Sequence, residues 1–251
     1  MVWFAKAQQF QADLLAAMVT RATGGELHIA LAPEPRWLDD QERAAANRAL
    51  DRETGAHFGE PSEDEPDFRA VAELLSKPPS ARYGWIGDVP TGARLGVLAA
   101  GNQWFGIVAV REDDSIWVRT FWPESLSEVL ARTLPDASWK SSAQPISVVR
   151  SEMLTADDDA MGFIPPRAEA RRAQRVIDLD AHGIAEFYAE VSDGGKRRSS
   201  KYPLRVYDTE DGRWTMRVTP VHSDERIDLA PAGYDDVTKI LDVLSRVLHQ
   251  M

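Results

Sequence analysis

The chain contains no cysteine. That excludes disulfides, thiol nucleophiles and thiolate zinc sites, and it fits a cytosolic protein. Long apolar runs are missing too. No stretch approaches the ~18 residues that a membrane span requires. The opening segment MVWFAKAQQFQADLLAAMVTRA is interrupted by Lys6 and Asp13, so it does not read as a signal peptide. Positive charge is scarce: 29 Lys and Arg stand against 40 Asp and Glu, a formal net charge of -11. Such a chain is repelled from nucleic acid and from anionic membrane unless a basic patch is sharply localised. A cytoplasmic protein with no nucleic-acid partner and no membrane insertion is expected.

Catalytic signatures are equally sparse. The five histidines are His28, His57, His182, His222 and His249, and no two have H-x-x-x-H or H-E-x-x-H spacing. There is no G-x-S-x-G elbow and no G-x-x-x-x-G-K-[ST] loop. The GGK at Gly194 is followed by Arg197 rather than by Ser or Thr. DTEDG, Asp208 to Gly212, has its glycine one position too early for a calcium loop, so it reads as a hairpin turn. Asp157, Asp158 and Asp159 are adjacent like charges that repel one another, and they read as a solvated loop. No catalytic residue, cofactor or metal is expected, and the chain is read as a non-enzyme.

What the chain does have is enough apolar content, 43% of 251 residues, for a sizeable core. One domain over residues 1–251 is expected. Helical spacing of Phe10, Leu14, Leu15 and Met18 predicts a helix over Phe4 to Arg21. LHIALA, Leu27 to Ala32, predicts a strand. A helix opens at Asp39 and Asp40 and runs through Leu50; an acidic loop spans Gly55 to Pro66; a short helix spans Asp67 to Ser76. Two blocks, residues 95–134 and 202–248, then share an order of features. Each has a strand, a tight turn (Gly101-Asn102 or Asp211-Gly212), a second strand beginning at a tryptophan (Trp104 or Trp214), a polar turn and a third strand. Each closes with a proline (Pro123 or Pro231) and an amphipathic helix. An α+β fold follows: two antiparallel meanders, each backed by a helix, related as an internal repeat. Between the blocks lie a strand-like ISVV, a Pro165-Pro166 break and a basic helix from Arg167 to about Leu179.

Two surface features stand out. The basic run from Lys196 to Lys201 has a single adjacent aromatic, Tyr202, whereas a nucleic-acid groove interleaves several. It reads as a solvated strand connection or as a contact for an acidic or polar protein. Trp104, Phe105, Trp117, Phe121 and Trp122 all fall in one meander. Trp117 and Phe121 share a strand face and Trp122 lies on the other. Core packing accounts for one face, and a docking surface for the other. The expected protein-binding residues are Asn102, Gln103, Trp104, Phe105, Trp117 and Trp122, with Arg197 and Arg198 adding polar steering.

The sequence resembles the EspG family of type VII (ESX) secretion chaperones. The C-terminal text carries most of the resemblance: EFYAEV, then GGKRR, a proline and a strand, DTEDGRW, and a terminal amphipathic helix. RYGWI, GVLAAGNQWFGIVAV, WPESLSEVLARTLPD and PISVV fit in the same order, and DDQERAAANRAL fits more loosely. The resemblance implies a central sheet with pseudo-two-fold-related halves and flanking helices. It implies a cytosolic chaperone, not an enzyme, that binds PE–PPE heterodimers, covers the hydrophobic helical tip of the PPE partner and keeps the pair soluble for export. It implies client contacts through the sheet, its loops and the C-terminal helical region. The chain departs from the family between Met153 and Ile184, where members carry a longer helical segment. The residues themselves leave a second function open: a small-ligand binder or enzyme with a pocket between the two halves, marked by converging carboxylates or by His222.

Overall fold

Alternating apolar and polar residues give a strand two chemically distinct faces, and two buried faces need a layer of helix on each side. The computed structural model, which describes residues 7–57, 66–122, 125–136, 142–153 and 168–250, has this layering. Among the described residues, eleven strands form one antiparallel sheet. They are β1 (Gln8–Gln11), β2 (Ser80–Asp88), β3 (Arg94–Gly101), β4 (Gly106–Glu112), β5 (Ser115–Phe121), β6 (Ile146–Val149), β7 (Ala181–Asp193), β8 (Lys196–Ser199), β9 (Leu204–Thr209), β10 (Gly212–Val221) and β11 (Asp224–Pro231). The order across the sheet is β1-β5-β4-β3-β2-β7-β9-β10-β11-β6, with β8 also paired to β7.

The antiparallel β2–β7 pair, in register from Ser80↔Val191 to Asp88↔Gly183, sits at the centre. One meander runs outward on each side, β2 to β5 and β7 through β9 to β11. A helix follows each: α4 (Leu126–Ala131) and the C-terminal α6 (Tyr234–Gln250). The two expected meander-plus-helix halves are therefore present and share one sheet. Leu130 of α4 and Val237 and Leu241 of α6 bury Val97, Ala99, Phe187 and Val206 on one face. On the other face, α1 (Ala12–Thr23) and α3 (Phe68–Ser76) cover the first half, with Leu15, Met18 and Leu75 over Leu98, Ile107 and Val118. α5 (Ala168–Ile177) covers the second half, where Ala173 packs with Trp214 and Met216. Caps agree with sequence: Asp67 accepts from the Ala70 N–H, and Ser125 accepts from the Glu128 N–H. No helix among the described residues is long and apolar enough to cross a membrane.

Five sequence expectations change. Residues 8–11 form an edge strand, not helix, because Phe10 opposite Ile116 enters the core and the segment covers the open edge of β5. The helix starts at Ala12. LHIALA is a turn rather than a strand: the Leu31 N–H donates to the His28 carbonyl, and Arg111 donates to the Ala32 carbonyl. It lies flat across β3, where a Cβ on Gly96 would stand 1.9 Å from the Ala30 oxygen. The second strand of the first meander begins at Gly106 and leaves Trp104 in the turn. GGKRRSSK folds back as β8 on β7 instead of remaining a bare connection. The helix opened at Asp40, α2 (Asp40–His57), runs past Leu50. Most of the acidic loop (58–65), Pro123, Asp157 to Asp159 and Pro165-Pro166 lie outside the described residues.

Candidate protein interface

The β3–β4 connection is a tight turn organised by one side chain. The Asn102 carboxamide oxygen accepts from the N–H groups of Trp104 (2.8 Å) and Phe105 (3.0 Å), and the Asn102 N–H donates to the Phe105 carbonyl. This geometry sends the two neighbouring aromatics in opposite directions. Phe105 is buried at 8% exposure; Trp104 stands out at 70%. The end of β5 repeats the division, with Phe121 buried and Trp122 63% exposed. The pairing Gly106↔Phe121 sets the two aromatic pairs side by side. Glycine is required at 106, since a Cβ there would meet the Phe121 ring at 2.4 Å.

The β7–β8 hairpin reaches the same end of the sheet, because Ser80 of β2 pairs with both Gly101 and Val191. Between the turn, the hairpin and the end of α6 lies a shallow depression of about 670 Å³, lined by Pro79, Asn102, Trp104, Leu126, Asp193 and His249 among others. The structure thus brings Asn102, Gln103, Trp104, Phe105, Trp122 and the basic hairpin to one end of the sheet. Trp117 is not with them. It projects from mid-β5, 41% exposed, beside Val108, Val110 and Arg132, five residues and about 17 Å along the strand from Trp122.

Arg197 and Arg198 are engaged within the fold. The Arg198 guanidinium donates to the Leu248 carbonyl and ties β8 to α6. The Arg197 Nε lies 2.6 Å from Oε2 of Glu190, a carboxylate only 1% exposed. The contact is close but poorly aligned for a hydrogen bond, so it is an ion pair first. The buried His28 ring completes the cluster, 3.0 Å from Arg197 Nη2 and edge-on to Tyr83, which stacks on Tyr188. Burial, then the Glu190 carboxylate, push the Tyr83 phenol above its ordinary value. Sequence reasoning missed this cluster. Its signal was Glu186 and Glu190 on one face of an otherwise apolar strand, followed directly by a basic run. His222 sits exposed in the β10–β11 turn with φ of 54°. Among the described residues no group of three or more His, Asp or Glu is placed to hold a metal ion.

A solved structure of the Mycobacterium tuberculosis type VII secretion system chaperone EspG5 in complex with PE25-PPE41 dimer is similar to this chain, with a TM-score of 0.63 over 95% of each chain. Identity is 14%, so the likeness is one of fold. No curated protein sequence matches. The EspG family model matches residues 11–242, which includes both meanders and the first half of α6. By that match, which spans most of the chain, the chain belongs to the EspG family.

Proposed function

We propose that the protein is a non-catalytic, cytoplasmic chaperone of type VII secretion that binds PE–PPE heterodimers, masks their hydrophobic helical tip and holds them soluble for export. The family membership and the EspG5 fold, solved with the PE25-PPE41 dimer, support this reading. The observation that carries the binding surface is the pair of tryptophans, 70% and 63% exposed, held at one end of the sheet over two buried phenylalanines. A rigid turn that presents an indole to solvent is a binding anchor with little ordering entropy left to lose. An interface of about 1,600 Å² would remove the client's apolar tip from water and from other copies. The basic hairpin adds the attraction that guides an acidic client.

The test is binding of a PE–PPE pair to Trp104→Ala and Trp122→Ala variants. Each exposed ring contributes little to folding, so melting should move by no more than about 0.5 kcal/mol in stability. Client affinity should fall at least about tenfold for one or both, as for interface tryptophans generally. Unchanged affinity in both variants places the client elsewhere.

A further inference from the structure

A cavity of about 380 Å³ lies between the two halves, at the end of the sheet away from Trp104 and Trp122. That volume is within the range of small-ligand sites. Its floor is apolar: Ile86 and Leu95 come from the first half, Ala185 and Val206 from the second. One wall is the segment Leu134–Asp136, tied down by the Tyr234 hydroxyl, which lies 3.0 Å from the Pro135 carbonyl and 2.9 Å from the Asp136 carboxylate.

The polar groups around this floor have an uneven balance. Four carboxylates, Asp88, Glu112, Asp136 and Asp208, share the lining with one guanidinium, Arg213, and one imidazole, His182. Arg213 is wholly buried and is committed to Asp208, at 2.6 Å from Nε and 2.8 Å from Nη2. No described cation pairs with Asp88, Glu112 or Asp136. One donor of Arg213 is also unsatisfied: its Nη1 is buried and has no acceptor. A buried guanidinium N–H without an acceptor is costly and is relieved when an oxygen arrives. The cavity therefore offers an apolar trough, carboxylates for a cation and a donor for a carbonyl.

We propose that this cavity binds an aliphatic ammonium that also carries an amide carbonyl, the chemistry of a lysine residue. The methylene stem covers the floor between the halves, the ammonium meets the carboxylates of Asp88, Glu112 and Asp136, and the carbonyl accepts from Arg213. The same chemistry comes either from a lysine within a peptide or from a free ω-amino amide. The site is remote from the tryptophan end of the sheet, so it stands whether or not that end binds a client.

The experiment titrates the full chain, followed by amide NMR shifts, with three probes: Nα-acetyl-lysine N-methylamide, 5-aminopentanamide and Nα-acetyl-norleucine N-methylamide. The expected result is saturable shifts at Gly87, Gly183 and Gly212 with an ammonium probe and at least about tenfold weaker binding of the norleucine amide. The tighter of the two ammonium probes identifies the source. The triple variant Asp88→Asn, Glu112→Gln, Asp136→Asn removes the three charges, keeps one acceptor oxygen at each position and should lose at least about tenfold in affinity. On the unmodified chain, raising salt from roughly 50 to 500 mM should weaken the ammonium probes several-fold. Equal binding of the norleucine amide, or affinity indifferent both to the triple variant and to salt, overturns the proposal.

Discussion

At the scale of single residues, the block over residues 95–134 separates its aromatic side chains by chemistry. Phe105 and Phe121 are buried while Trp104, Trp122 and in part Trp117 are not. An indole keeps a polar N–H that tolerates water, whereas a phenyl ring does not. The buried ion cluster leads to an asymmetric prediction. Arg197→Ala leaves the Glu190 carboxylate, 1% exposed, without its arginine and with the His28 ring at 3.7 Å. Glu190→Gln removes the buried charge and leaves a half-exposed Arg197 free to reach water. Arg197→Ala should cost about 3 kcal/mol and Glu190→Gln about 1 kcal/mol, read by urea denaturation. Equal losses would mean that the pair works through packing alone. The tryptophans were legible in the sequence as candidate anchors, because no core needs so many large rings on both faces of one meander. The engagement of Arg197 and Arg198 was not, since their partners, Glu190 and the Leu248 carbonyl, become neighbours only when β8 folds back.

At the scale of elements, the strands were legible wherever apolar alternation met a turn signal, as in β3, β4, β9 and β10. Segments whose conformation is imposed by a neighbour were not. LHIALA alternates like a strand, yet β3 already pairs with β2 and β4, so the segment crosses above it and rests on Gly96. Gly96→Ala should lift that turn and cost about 2 kcal/mol, a fall in melting temperature of roughly 5 °C. An unchanged melting temperature would show the turn to be only loosely held.

The far edge of the sheet depends on pH for a similar local reason. β6 and the residues after it are held to β11 by carboxylates: Ser147 donates to Asp228, Arg150 pairs with Glu225, and Ser151 donates to Asp224. Burial pushes the Asp228 carboxyl up, but the Ser147 hydroxyl with Arg217 and Arg226 outweigh it and hold it below its ordinary 3.8. Tyr202 and Arg150 lower Glu225 below 4.5, and the Ser151 hydroxyl lowers Asp224. A depressed carboxyl contributes stability that is full above its unfolded value and lost as pH falls through its folded one. Between about pH 5 and pH 2, β6 amides should therefore lose exchange protection before those of the central β2–β7 pair. Simultaneous loss across the sheet would contradict this.

At the scale of the whole molecule, two meander-plus-helix halves meet through β2 and β7, and α4 packs on α6 beneath them. The arrangement leaves the two ends of the sheet chemically different. One carries exposed indoles and a basic hairpin; the other opens on an apolar cavity rimmed by carboxylates. The repeated order of strand, turn, strand and helix made the architecture readable from sequence, while the cavity depended on residues far apart in the chain. We propose that the tryptophan end of this EspG-family sheet captures a PE–PPE heterodimer. The most direct test is co-expression with PE–PPE pairs followed by size-exclusion chromatography with light scattering. A stable 1:1:1 complex is expected from the unmodified chain and none from the Trp104→Ala, Trp122→Ala double variant. A folded chain that stays alone with every pair, or a double variant that forms the complex as well as the parent, would contradict it.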